Sequence, residues 1–167
     1  MAVALTRSRP KKLTTMSQDE ESKPNYLTHS EPIWRDQANY LLMAEIDGDL
    51  EQLWAREITE TTFMICCVPL FIYNVALGDI VEAVDNQVTR VVEPSGRYVL
   101  RVWLPEKDKA LMNRIRVGVV QRGGFWEHSS DQLLGVDAPD AAVATEVRAW
   151  LEELQAEGLI EYETGWL

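Results

Sequence analysis

Through the first half of the chain the apolar positions come in short runs that alternate with polar ones, the spacing of strands with one buried face. Residues 38–46 (ANYLLMAEI) and 51–58 (EQLWAREI) are predicted strands, and the Asp47-Gly48-Asp49 turn between them is a strong hairpin signal. Residues 80–84 and 87–93 add two more. Between these pairs, residues 61–78 (TTFMICCVPLFIYNVALG) hold no charge over 18 positions in a chain that is 26% charged, which marks them as the buried spine. The first part of the spine, 62–68, is rich in β-branched, aromatic and cysteine residues and reads as a strand buried on both faces. Pro69 stops that ladder, 70–76 reads as a short buried crossing, and Gly78-Asp79 turns the chain into the next strand. Pro69 in the middle and the amide of Asn74 argue against a membrane-spanning helix here.

After the Glu93-Pro94-Ser95-Gly96-Arg97 turn the pattern changes. Residues 98–104 (YVLRVWL) form a strand with Tyr98, Leu100, Val102 and Leu104 on one face and Val99, Arg101 and Trp103 on the other. Residues 106–122 place Leu111, Met112, Ile115 and Val119 on one helical stripe that ends at Gly123-Gly124. Two short strands, 125–128 and 132–136, precede a second helix capped by Asp137 or Asp140, whose stripe is Val143, Val147, Trp150, Leu151 and Leu154. A last strand, 159–164, follows Gly158. The expected fold is α+β. Residues 31–96 form an antiparallel, small β-barrel-like part, packed on a ferredoxin-like βαββαβ part at 97–167. Residues 1–30 lack a hydrophobic period and read as a disordered tail in which Met16 is an alternative start.

Composition narrows the function classes. A formal charge of -11 and a pI near 4.6 argue against a nucleic-acid or anionic-membrane binder, and point to a basic partner or to solubility alone. From Asp137 onward eight Asp or Glu face the single Arg148, so the second helix is expected to present Glu146, Glu152, Glu153 and Glu157 away from its apolar stripe as a partner-binding face. Cys66 and Cys67 are adjacent, which suits neither a disulfide nor a metal, so they read as buried packing residues of a cytoplasmic protein. No cofactor or metal motif occurs. Of the histidines, His29 falls in the tail and His128 near a turn, with Glu127 beside it reading as a solvated carboxylate.

The phrases EPIWRD (31–36), EQLWAR (51–56), CCVPLFIYNVALGD (66–79) and RVVEPSGRYVLRVW (90–103) resemble an uncharacterised bacterial family, frequent in actinobacteria, known as a domain of unknown function. The resemblance spans about residues 31–164 and implies a bacterial cytoplasmic protein without implying an activity. Where relatives tend to carry two aromatics after the proline and an Asp before Ala-Leu-Gly, this chain has Leu70-Phe71 and Asn74. Tyr73, Asp79, Arg90, Arg97 and Arg101 fall within the family-like block and form the candidate ligand-binding constellation, as guanidinium forks either for an anion or for a buried carboxylate.

Three functions remain open. The first is a non-enzymatic acidic interaction protein, such as an immunity-type antagonist of a basic partner. The second is a small-molecule binding or sensing module, with edge-to-edge homodimers as the expected assembly. The third, for which no nucleophile and base pair is evident, is an enzyme acting at the junction of the two parts through Tyr73, Asp79 and Arg97.

Overall fold

A computed structural model describes residues 24–166 as an α+β arrangement of two sheets and two helices. The first sheet contains β1 (Tyr26–Leu27), β2 (Tyr40–Ile46), β3 (Asp49–Glu57), β4 (Thr62–Ile65), β5 (Ile80–Val84) and β6 (Gln87–Glu93). The second contains β7 (Tyr98–Trp103), β8 (Phe125–His128), β9 (Leu133–Ala138) and β10 (Glu161–Thr164), with α1 (Lys109–Gln121) and α2 (Ala141–Ala156) between them in the chain.

The first sheet closes on itself, because β3 pairs with β2 on one side and with β4 on the other. Five consecutive strands, each antiparallel to the last, leave β2 and β6 pointing the same way, so the closing pair has to be parallel. It is, at Met43 and Gln87. This corrects an all-antiparallel reading of the first part, as does β1, which lies parallel to β3. Both tight hairpins use two residues in left-handed backbone, Asp47-Gly48 and Asp85-Asn86, which matches the twist of the strands they join. Leu42, Ala44, Leu53, Ala55, Phe63, Ile65, Val81 and Ala83 fill the ring.

The second sheet runs β10-β7-β9-β8 and is antiparallel throughout. Both helices pack on the face that carries Leu100, Val102, Leu134 and Val136, where Met112, Ile115 and Val119 of α1 meet Val147, Leu151 and Leu154 of α2. Asp108 and Asp140 cap the helices by accepting the N–H of Leu111 and of Val143, each at 2.9 Å. The cap of α2 is thus Asp140; Asp137 lies in β9 and is buried.

The opposite face of the second sheet is covered by the uncharged spine. β4 ends at Ile65, and residues 66–79 cross between the sheets without regular structure. The crossing comes so close to β9 that a Cβ on Gly135 would stand 2.9 Å from Leu70 and 3.1 Å from Val68. Cys66 and Cys67 are fully buried free thiols.

The tail reading fails from residue 24 onward, and its remainder lies outside the described residues. Asn25 donates its backbone N–H to Asp49 (3.1 Å), β1 joins the sheet, His29 is buried, and Trp34 donates its backbone N–H to Cys66 (3.1 Å). Two apolar residues in β1 are too short a run to register as a period. The segment is held by backbone pairing and by polar side chains.

Trp150 of α2 packs directly on the backbone of α1 at Gly118, where a Cβ would stand 2.2 Å from the nearest ring atom. Helix propensity favours alanine over glycine by about 1 kcal/mol. Packing reverses the sign: Gly118→Ala should destabilise the protein by about 1–3 kcal/mol in urea unfolding, and the same change in a Trp150→Leu background should lose most of that cost.

Candidate functional site

The carboxylate of Glu51 sits on the inward face of β3, in phase with the core residues Leu53 and Ala55. That of Glu127 sits on β8, on the face turned toward the crossing. His29 bridges them, with Nε2 2.9 Å from Glu51 Oε1 and Nδ1 in a short contact with Glu127 Oε1. None of the three side chains has any solvent exposure. Their remaining oxygen valences are met by backbone N–H groups. Leu70, Phe71 and Ile72 donate to Glu51 at 2.7, 3.1 and 3.0 Å, and Val68 and Ile33 donate to Glu127 at 2.8 and 3.3 Å.

Burial by itself opposes charge on His29, but the Cys67 sulfur and the carboxylates of Glu127 and Glu51 outweigh it, so its pKa is pushed up to about 12. Burial likewise opposes charge on Glu51, yet the imidazolium and the N–H groups of Leu70 and Ile72 hold its pKa below the usual carboxylate value. Burial pushes the Cys67 thiol up, and Cys66 up to about 11, so neither sulfur is a ready thiolate. A histidine, a cysteine and two glutamates in contact have the composition of a catalytic centre, but here the histidine and both glutamates are without side-chain exposure. What they do is join a strand of each sheet to the crossing between them.

These positions correct the expectations for two residues. His29 is not in a free tail, and Glu127 is not solvated. His128 is half-buried, with Nδ1 2.9 Å from the Arg116 guanidinium. Glu51 carried a usable signal, a carboxylate at an inward position of an alternating strand. His29 carried none, because its partners lie 22 and 98 residues away.

The candidate ligand residues divide among four places. Asp79 is buried and accepts the backbone N–H groups of Ala76 (2.8 Å) and Ser95 (2.6 Å), so it fixes two loops and, among the described residues, pairs with no arginine. Arg90 makes an exposed pair with Glu82 at 2.6 Å. Arg97 forks onto Asp137 through Nε (2.9 Å) and a terminal nitrogen, and lies over Trp34 at 5.4 Å. Burial raises the Asp137 pKa, with Arg97 opposing the shift.

Tyr73 and Arg101 are brought together. The Arg101 guanidinium lies 4.5 Å over the Tyr73 ring, bonds Glu163 at 2.9 Å and donates to the carbonyl of Ile72, while the Tyr73 hydroxyl donates to Glu163 at 3.0 Å. This group forms one wall of an open cleft of about 450 Å³ between the Asp47 turn, the crossing and the helix-free face of the second sheet. Glu146, Glu152, Glu153 and Glu157 are all exposed, as expected, and Glu152 meets Arg148 (3.4 Å) and the Tyr162 hydroxyl (3.0 Å). Among the described residues no cluster of metal-ligating side chains occurs, and no helix is long and apolar enough to cross a membrane.

The chain is thus an α+β protein of two sheets, one of them helix-covered, joined through a buried Glu-His-Glu cluster. Residues 51–162 match the model of DUF4265, a domain of unknown function, and the chain belongs to that family. A similar solved structure is that of a hypothetical protein from Neisseria gonorrhoeae, at 20% identity and a TM-score of 0.60, covering 74% of this chain and 91% of that one. No curated protein matches.

The cluster predicts a defined pH dependence. His29 holds its proton more tightly in the folded state, so its contribution is complete below about pH 6.5, the ordinary histidine value, and is lost as pH climbs toward about 12. Glu51 acts in the opposite sense: its contribution is present above its ordinary value of 4.5 and is lost as pH falls below that. Urea unfolding across pH should therefore show stability declining above neutrality by up to about 1.4 kcal/mol per pH unit, and His29→Gln should flatten that slope. At pH 7, Glu127→Gln should cost about 3–5 kcal/mol, since it removes one member of a buried ion pair.

Proposed function

We propose that this is a non-enzymatic interaction protein that binds a basic protein through acidic surface at the edge of the second sheet, the exposed side of α2 lying on one side of that edge and Glu161 and Glu163 of β10 on the helix-free other. The observation that carries the reading is where the charges sit. Glu153 lies in the last turn of α2 and Glu157 is its C-cap, with no basic residue in that turn. A helix C-terminus already carries partial negative charge, so each glutamate there costs about 0.3–1 kcal/mol. Beyond Gly158 the chain adds Glu161 and Glu163 on β10, the outermost strand of its sheet. Among the described residues Glu146, Glu153, Glu157 and Glu161 have no ion-pair partner. Charge that opposes its own helix is explained by an external cation. An immunity-type antagonist of a basic protein is the form of this reading we favour, in a bacterial, cytoplasmic setting. The closed first sheet we read as barrel-like and the βαββαβ half as ferredoxin-like, a reading its strand order supports.

Glu146, Glu153 and Glu157 changed together to Lys should slow association with a partner recovered from the native host by about 10-fold or more at low salt, since complementary charge steers encounter. The thermal midpoint should hold. The wild-type association rate should fall as salt rises, because exposed charges are screened over about 10 Å at 0.1 M. A captured partner whose association rate ignores both the triple substitution and salt would reduce the acidic face to a solubility device.

A further inference from the structure

Arginine over an aromatic ring is a repeated device in this chain. Arg97 lies over Trp34 at 5.4 Å, Arg35 over Trp54 at 5.6 Å, Arg116 over Trp126 at 4.6 Å and Arg122 over Trp150 at 4.3 Å. Of the remaining tryptophans, Trp166 packs edge-on against Tyr98 and is half-buried. Trp103 is 42% exposed, and among the described residues no guanidinium lies over it.

The surroundings of Trp103 are those of an arginine site. It stands directly opposite Glu161 in the β7–β10 pair, two residues along from the opposed pair Arg101 and Glu163. Opposed residues share a face of the sheet with Cβ atoms about 4.5–5.5 Å apart. At the Glu163 position a carboxylate and an aromatic ring, Tyr73, hold a guanidinium between them. At the Glu161 position a carboxylate and a larger, better cation-binding ring stand together with no cation from the described residues paired to either. Both residues line the 450 Å³ cleft, together with Ile46, Phe71 and Leu133, which offer apolar surface for an aliphatic stem, and Asp47, a second carboxylate without an ion-pair partner among the described residues. The cation within the cleft, Arg101, is already occupied by Glu163 and by the Ile72 carbonyl.

We infer that the cleft seats one arginine side chain of the basic partner, with its guanidinium over Trp103 and forked onto Glu161. This rests on the acidic-interaction reading and adds to it a defined anchor. Arginine fits better than lysine, because a planar guanidinium stacks on the indole and pairs with the carboxylate at the same time. The acidic face sets how fast the partner arrives, and the cleft sets how long it stays.

The probe is N-acetyl-arginine amide, titrated into the full chain at constant ionic strength while the tryptophan indole N–H signals are followed by NMR. The expected result is a saturable shift of the Trp103 signal with the others little changed, a weaker response to N-acetyl-lysine amide, and loss of the shift in Glu161→Gln. Both Trp103 and Glu161 are exposed, so Trp103→Ala and Glu161→Gln should fold normally, and an unchanged thermal midpoint confirms it. A shift that does not saturate, or that survives Glu161→Gln, overturns the site. With the native partner, Trp103→Ala should speed dissociation by about 10-fold or more, the behaviour of a central anchor, whereas the triple Glu→Lys change acts on association. A partner that depends on the α2 glutamates but is indifferent to Trp103→Ala and Glu161→Gln would sink the anchor and leave the interaction reading standing. A partner whose association ignores both the triple substitution and salt would remove the reading itself, and the anchor with it.

Discussion

Burying irregular backbone is the problem that this structure has to solve. Residues 66–79 cross between two sheets, and while Cys66, Asn74, Gly78 and Asp79 donate their N–H groups to backbone carbonyls, those of Val68, Leu70, Phe71 and Ile72 have no ladder to satisfy them. The solution is a pair of buried carboxylates, Glu51 from one sheet and Glu127 from the other, which accept five of the N–H groups in and around the crossing. Two negative charges with no counterion would be prohibitive at this depth, and the His29 imidazolium between them removes most of that cost. The Glu-His-Glu cluster thus connects every layer of the molecule: the ring, the crossing, the helix-covered sheet and the segment that begins the fold.

The same chain treats charge in two opposite ways. Inside, each carboxylate is matched: Glu51 and Glu127 by His29, Asp137 by Arg97, and Asp79 by backbone donors. Outside, along α2 and β10, Glu152 and Glu163 are paired, while Glu146, Glu153, Glu157 and Glu161 have no ion-pair partner among the described residues. Interior charge is arranged for the fold's own stability, and surface charge is left uncompensated at a small cost to it. That contrast separates structural arginines, such as Arg97, from the tryptophan and glutamate on β7 and β10 that face solvent.

Local order was readable because period, turn chemistry and caps are local. The strands at Ile80 and Gln87, the helix stripes of Ile115 and Leu151 and the Asp47-Gly48 turn all followed from neighbours within a few residues. The burial of the cysteines followed from an absence of charge. The cluster did not follow, since histidine in a polar segment looks alike whether it is solvated or locked between two carboxylates. The candidate arginines were identified by residue type, and the fold gave them different duties: Arg97 and Arg101 pair internally, while Arg90 holds an exposed glutamate. Of these candidates Tyr73 and Arg101 border the cleft, and its most exposed aromatic, Trp103, lies on the strand face that the alternation of β7 predicts.

The spacing of the cluster along the chain also fixes an order of events during synthesis. His29 emerges early and meets Glu51 after 22 residues, but Glu127 follows only 98 residues behind it. Until β8 has left the ribosome, the crossing has one of its two acceptors and the imidazolium one of its two counterions. Long-range closures of this kind are slow, and the waiting state leaves apolar surface uncovered. A nascent chain halted between the two sheets therefore carries an unfinished interior, and chaperone contact during translation would concentrate on the spine at residues 66–79.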